Sequence, residues 1–356
     1  MTVPMRELLE VPFDELVEGL GGSGRAAGIM RALRSGHTLE EFPDVGRRTL
    51  KEYNTRYQFT RPELITVQEA EDQTLKMVFQ LDDAARVETV IIPSAKRTTV
   101  CVSSQDGCAR GCQFCMTAEM GLMRQLSTSE ILSQVWWARR LVRERNYPVL
   151  RNVVFMGMGE PLDNWNAVKP AIDHLTDQRM HGFGARYVTL STVGPSPEKI
   201  RRLETVSCRL AWSLHATETT TRRQLIPTQR YHLDELFSAF ETITQSRGDS
   251  LFIEYTLVAG INDTMTMAHE LAALAKRLGC DTRINLLPVN PGRQGMNPPD
   301  DGTCEAFAHV LREHGFRTML RLTRGEDQTA ACGQLVQRLK KKRASDASPT
   351  RFLTIT

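Results

Sequence analysis

Three cysteines share one short loop, Cys108-Ala-Arg-Gly-Cys112-Gln-Phe-Cys115, in a C-x3-C-x2-C spacing. Thiolates are soft ligands that hold zinc and iron–sulfur clusters. A structural zinc site wants four closed ligands, commonly two C-x2-C pairs, and this sequence has one such pair. Three close thiols instead suit three irons of a [4Fe–4S] cube, whose fourth iron then stays open to a substrate. The chain has eight cysteines, at 101, 108, 112, 115, 208, 280, 304 and 332. Their clustering between 101 and 115 reads as metal ligands or catalytic thiols rather than a disulfide framework.

Such a loop must be mounted on something rigid. A strand is expected over 98–103, just before it, and a helix after it. That helix opens on Ser127-Thr-Ser-Glu130, an S-x-x-E capping box, and places Ile131, Leu132, Val135, Trp136 and Val142 at helical spacing. Further strands are expected over 87–92, 153–156, 187–191, 209–214, 251–257 and 283–288, with helical stretches between most of them. One such helix begins at Asn262-Asp263 and ends at Lys276-Arg277-Leu278-Gly279. Alternation of this kind over roughly 220 residues implies an α/β fold: a parallel sheet with helices outside, compatible with a partial (β/α) barrel. Chemistry at the carboxyl ends of strands is where such folds place active sites.

Residues 1–85 read as a separate, small helical accessory domain. Gly21-Gly-Ser-Gly24 opens a helix that Gly36 ends, and a second helix is expected over 46–53. The α/β core is expected over 86–325. A C-terminal segment, 326–356, carries Cys332 and the basic run Arg338-Leu-Lys-Lys-Lys-Arg343.

Composition bounds the rest. The 356 residues are 41% hydrophobic and 24% charged, which excludes a disordered or collagen-like chain. No apolar run reaches membrane-spanning length. The opening ten residues lack a basic region followed by an apolar one, so no secretory signal and a cytoplasmic location are expected. The net charge of +3 is too small to indicate nucleic acid, so any basic surface must be local. Arg139-Arg140, Arg201-Arg202, Arg222-Arg223 and the 338–343 run are candidates for phosphate contact or for ordinary solvated charge.

Beyond the cysteine loop, Cys101-Val-Ser-Ser-Gln-Asp-Gly-Cys108, Gly157-Met-Gly-Glu-Pro161, Ser213-Leu-His-Ala216, Leu287-Pro-Val-Asn-Pro291 and Ala330-Ala-Cys-Gly-Gln-Leu335 follow in order. Together they resemble the RlmN/Cfr family of radical S-adenosylmethionine (SAM) RNA adenine methyltransferases, over about residues 85–335. The resemblance implies a radical-SAM partial barrel in which Cys108, Cys112 and Cys115 hold one [4Fe–4S] cluster and SAM takes the open iron. It implies SAM contacts at Gly159 and Glu160, at Ser191, along Ser213-Leu214-His215, and at Asn290. Taken alone, Gly159-Glu160-Pro161 is a strand-ending turn and His215 a structural histidine. Cys208, Cys280 and Cys304 read as buried small hydrophobes.

The resemblance also implies a reason for further thiols. Adenine C2 is electron-poor and has no nucleophilic lone pair, so ordinary methyl transfer from SAM is implausible. Cys332 would first take a methyl group from one SAM. A second SAM would yield a 5′-deoxyadenosyl radical, which takes hydrogen from that methyl group, and the resulting carbon radical adds to the base. Glu88 would accept the proton and Cys101 would resolve the RNA adduct by forming a disulfide with Cys332. The implied partners are 23S rRNA, a tRNA as second substrate, and a reductant such as flavodoxin or ferredoxin. Two alternatives stay open: C8 methylation of the same rRNA adenine, giving antibiotic resistance, and a zinc-stabilised RNA-binding protein without catalysis.

Overall fold

The computed structural model describes residues 5–279, 281–290, 295–321 and 335. The chain opens with β1 (Arg6–Glu7) and three helices, α1 (Phe13–Leu20), α2 (Ser23–Arg34) and α3 (Arg47–Arg56). β2 (Tyr57–Gln58) closes this unit by pairing parallel with β1. β3 (Glu63–Glu69), β4 (Leu75–Gln80), β5 (Arg86–Ser94) and β6 (Arg97–Cys101) then form consecutive antiparallel ladders. A two-stranded hairpin of β7 (Gln105–Gly107) and β8 (Leu122–Gln125) brackets the cysteine loop.

From there strands and helices alternate. They run α4 (Thr128–Glu144), β9 (Leu150–Phe155), α5 (Trp165–Thr176), β10 (Val188–Thr192), α6 (Pro197–Arg201), β11 (Arg209–Ser213), α7 (Thr219–Leu225) and α8 (Leu233–Arg247). β12 (Leu251–Leu257), α9 (Met265–Arg277), β13 (Arg283–Pro288), α10 (Asp301–Glu313) and β14 (Arg317–Leu320) complete the series. All major strands join one ten-stranded sheet in the order β14-β13-β12-β11-β10-β9-β6-β5-β4-β3. From β6 to β14 every neighbour is parallel. Each crossover moves one place in the same direction. With right-handed crossovers, that progression puts the helices on one face, as a partial barrel requires.

The stretch read as a helical unit up to residue 85 is helical only in its first part. Its β3 and β4 extend the main sheet through β5. The physical reason lies in alternation: Leu75, Met77 and Phe79 are wholly buried against the core, a period-two pattern on a strand. The N-terminal helices share that core as well, since Leu16 and Leu33 belong to the same buried cluster as Trp136.

Helix α4 forms as expected. Ser127 and Glu130 make both reciprocal bonds of the capping box. Its tryptophans anchor the N-terminal region, Trp136 Nε1 donating to the His37 carbonyl (3.1 Å) and Trp137 Nε1 to that of Pro62 (3.2 Å). No described helix is long and apolar enough to cross a membrane.

Candidate active site

The cysteine loop leaves the sheet just beyond β6 and is pinned at both ends. Gly107 has φ +76°, and a Cβ there would lie 1.9 Å from the Gly121 carbonyl oxygen. Only glycine lets the two hairpin strands close this tightly. Next to it, the Cys108 N–H donates to that same carbonyl at 2.7 Å. Inside the loop, Cys115 N–H bonds Cys112 O (3.0 Å) and Gln113 N–H bonds Leu225 O (2.9 Å). Thr228 Oγ1 donates to Arg110 O at 2.5 Å.

Cys112 sits in a second apolar cluster with Leu225, Ile226, Val258 and Val289, which Phe114 and Cys115 cover. Leu225 ends α7 and Ile226 follows it, while Val258 and Val289 follow β12 and β13, so the loop lies over the carboxyl ends of the parallel strands. Burial pushes the Cys108 thiol up to about 12 and the Cys112 thiol well above its usual range. Beyond burial, the charge of Cys115 adds to the rise at Cys108, and the charges of Cys115 and Cys108 to that at Cys112. Among the described residues no three histidine, cysteine or carboxylate side chains close into a ready-made ion cage. Buried, protonated thiols have no mutual attraction; a cation supplies the charge that turns them into ligands. Soft donors, their number and their place at strand ends all fit a cluster with one open iron.

The strand ends beneath the loop carry most of the other expected groups. Gly159 has φ +100°, and a Cβ there would come 2.7 Å from Gln105 Cβ and 2.8 Å from Ser104 Oγ. We expect Gly159→Ala to lower stability by roughly 1–3 kcal/mol, read as a drop in the thermal unfolding midpoint. Glu160 is buried, and its carboxylate accepts from Leu162 N–H (2.9 Å), Thr192 Oγ1 (2.7 Å) and Val193 N–H (2.9 Å). Burial pushes its pKa up to about 7, against the pull of those bonds. Glu160 thus staples the end of β10 to the turn that follows β9.

Ser191 Oγ and Ser213 Oγ lie 3.1 Å apart across β10 and β11. Leu214 is buried. His215 has φ +59°, and its Nδ1 accepts the Thr256 N–H at 3.0 Å. Burial drives its pKa down to about 3, so the ring is neutral and carries its hydrogen on Nε2. That ring meets Phe114 of the cysteine loop edge-on, with centroids 4.7 Å apart. Asn290 follows the end of β13.

Asn262 belongs to this group, although its sequence position suggested only a helix start; helix α9 begins at Met265 after the Thr264 cap. Asn262 is wholly buried. Its amide donates to His215 O (2.8 Å) and Thr256 O (2.7 Å), and its Oδ1 accepts Val258 N–H (2.7 Å). It clamps the His215 turn to β12. A residue read as a helix start gave no signal of this role.

On the other side of the loop, antiparallel register aligns Glu88 with Val78, and Val90 with both Lys76 and Cys101. Lys76, Glu88 and Cys101 therefore share one face of the sheet. Lys76 Nζ lies 3.7 Å from Glu88 Oε1, both side chains being almost fully buried. Ser103 Oγ donates to the Glu88 carbonyl (2.6 Å). Gln134 of α4 accepts from Thr89 Oγ1 (2.6 Å) and Ser103 N–H (2.8 Å) while donating to Ser103 O (2.9 Å). Helical periodicity showed the apolar neighbours of Gln134 but not this buried polar bond set.

Several candidate phosphate contacts are otherwise engaged. Arg139 donates to His181 O (2.8 Å), and Arg140 pairs with Glu41 and Glu144. Arg202 pairs with Glu198, and Arg222 is buried. Cys208 and Cys304 are buried as expected. Cys332, Cys280 and the 338–343 run lie outside the described residues. Within the C-terminal segment, Leu335 packs into the main core, and its carbonyl accepts from Thr117 Oγ1 at 2.7 Å, two residues beyond Cys115.

Comparison with known proteins agrees with this arrangement. Residues 102–275 match the Radical SAM superfamily. The chain is 40% identical over 308 residues to a probable dual-specificity RNA methyltransferase RlmN of Gemmatimonas aurantiaca, covering 86% of this chain and 82% of that one. It is 41% identical over 287 residues to the dual-specificity RNA methyltransferase RlmN of Marinobacter nauticus, covering 79% and 77%. A radical SAM methyltransferase crystal structure from Sphaerobacter thermophilus superposes with a TM-score of 0.84 at 35% identity, covering 93% of this chain and 99% of that one. A cysteine loop over parallel strand ends, in a chain this similar along most of its length, makes the protein a radical SAM enzyme of the RlmN RNA methyltransferase family.

Proposed function

We propose that this protein methylates C2 of an adenine in 23S rRNA (adenine 2503 in the usual ribosomal numbering) and C2 of a tRNA adenine (adenine 37), using two SAM molecules for each methyl group installed. The observation that carries the reading is the seating of the cysteine loop, through Phe114 against His215, over strand ends that also carry Glu160, Ser191 and Ser213. Relatives named as dual-specificity RNA methyltransferases support an RNA substrate and more than one specificity.

Cys108, Cys112 and Cys115 hold the [4Fe–4S] cluster. When bound, the cluster supplies the electron that cleaves SAM and makes hydrogen abstraction possible. Gly159, Glu160, Ser191, Ser213, Leu214, His215 and Asn290 form the SAM pocket. Cys332 is the methyl carrier, the group whose methyl loses hydrogen and bonds to the base. Glu88 takes the proton from the adduct, with Lys76 Nζ 3.7 Å from its carboxylate. The Cys101 sulfur then bonds to the Cys332 sulfur as the sulfur–methylene bond breaks; the odd electron left by the radical addition passes back to the electron carrier, the methylene takes a proton, and the methylated adenine departs. The base must be unpaired or flipped to present its edge. The reductant is of the flavodoxin or ferredoxin type, and the setting is the cytoplasm.

The test is mass spectrometry of nucleosides from 23S rRNA and tRNA after anaerobic incubation with reconstituted protein, SAM and reductant. 2-Methyladenosine in both RNAs is expected. 8-Methyladenosine would move the chain to the resistance-type branch, and no methylated adenosine would refute the substrate. For Cys101→Ala, with its resolving sulfur gone, we expect a covalent protein–RNA adduct that persists on denaturing gels while product falls by at least about a hundredfold, a factor of ten per 1.36 kcal/mol.

A further inference from the structure

The sequence offers Arg222 as one of a surface basic pair, but the structure buries it to 1% exposure. Its guanidinium donates to Ser213 O at 3.2 Å and also to Leu214 O and Val193 O. Those carbonyls follow or end β10 and β11, the strands that carry Ser191 and Ser213. All three partners are neutral. Its Nε has no hydrogen-bond partner among the described residues. A buried cation is costly unless an anion offsets it.

The ionisable groups whose charge reaches Arg222 are Cys112 and Glu160. Glu160 has its carboxylate committed to Leu162, Thr192 and Val193. Cys112 is coupled to the arginine through the backbone as well. Ile226 N–H bonds Arg222 O (2.7 Å), and Gln113 N–H bonds Leu225 O (2.9 Å). The helix that bears Arg222 is thus the platform on which the cysteine loop rests.

We propose that Arg222 is the charge-balancing and positioning residue of the cluster site. Its buried positive charge offsets the negative charge that Cys112 brings as a thiolate ligand, and so favours the reduced cluster. Its fork meanwhile holds the SAM-facing ends of β10 and β11 in register. The proposal rests on the cysteine loop holding the cluster. Charge close to a cluster in a poorly solvated setting is one of the levers that set its potential.

Arg222→Lys keeps the charge and loses the fork; Arg222→Gln keeps amide donors and loses the charge. Each reconstituted full-length variant is compared with wild type by iron and sulfide content, and by EPR-monitored potentiometric titration with a circular-dichroism check of folding. We expect Arg222→Lys to titrate close to wild type. At a fixed ambient potential, Arg222→Gln should show a reduced-to-oxidised ratio at least about tenfold lower, a shift of about 59 mV for one electron.

A folded Arg222→Gln chain that loads no cluster, beside an Arg222→Lys chain that does, also supports the charge role. Equal midpoints in both variants overturn it, and so does loss of fold or cluster in both, which would make the arginine purely structural. A wild-type chain that takes up no iron and sulfide would instead refute the cluster assignment, independently of Arg222.

Discussion

Cys112→Ala is expected to fold, to take up far less iron and sulfide than wild type, and to form no methylated adenosine. Two thiols cannot replace three around a cube that already leaves one iron to SAM. The side chain itself is small and lies in an apolar cluster with Leu225, Ile226, Val258 and Val289. Shortening it to alanine costs about 1 kcal/mol, the centre of the distribution for single substitutions. The outcome is therefore a lost cofactor in a retained fold. Metal and sulfide analysis beside a thermal melt reads both at once. Wild-type cluster content in this variant would sink the three-cysteine ligand set.

Cys332→Ala is expected to fail at the opposite end of the reaction. The cluster should load and SAM should still be cleaved, since Cys108, Cys112 and Cys115 are intact. Methyl-cysteine should be absent from the intact protein and methylated adenosine from the RNA. The loss is total rather than graded, because an electron-poor carbon gives a SAM methyl group nothing to attack with. Intact-protein and nucleoside mass spectrometry on one reaction separate these steps. Robust turnover by this variant would end the methyl-cysteine route.

The sequence made some elements legible to the residue. Leu251–Leu257 and Arg283–Pro288 have the bounds expected of them, because each is a short β-rich segment flanked by polar and breaker residues. Helix α4 announced its own start through Ser127 and Glu130. The cysteine loop was legible from residue type and spacing alone.

β3 and β4 were hidden for a physical reason. β3 is half-exposed along its length and carries Glu63 and Glu69 at its ends, while β4 buries the charged Lys76. Neither looks like a core strand before its partners are known. Arg222, Asn262 and Gln134 were missed for a related reason. Residue type assigns such side chains to the surface, and their burial follows from neighbours distant in sequence. Glu160 was visible as a candidate ligand, but its second task as a staple needs Thr192 and Val193 brought alongside.

One of the site thiols has an unusual mounting. Cys101 ends β6, an interior strand with β5 on one side and β9 on the other, in register with Val90 and Val154. The next residue continues the tie, Val102 N–H bonding Val154 O at 2.9 Å. Amides in such a station exchange with solvent only when a large cooperative unit opens. Its backbone thus belongs with the slow-exchanging heart of the molecule, not with the frayed loops where reactive thiols are often displayed. A sulfur mounted there is repositioned by rotation of its own side chain rather than by displacement of its backbone.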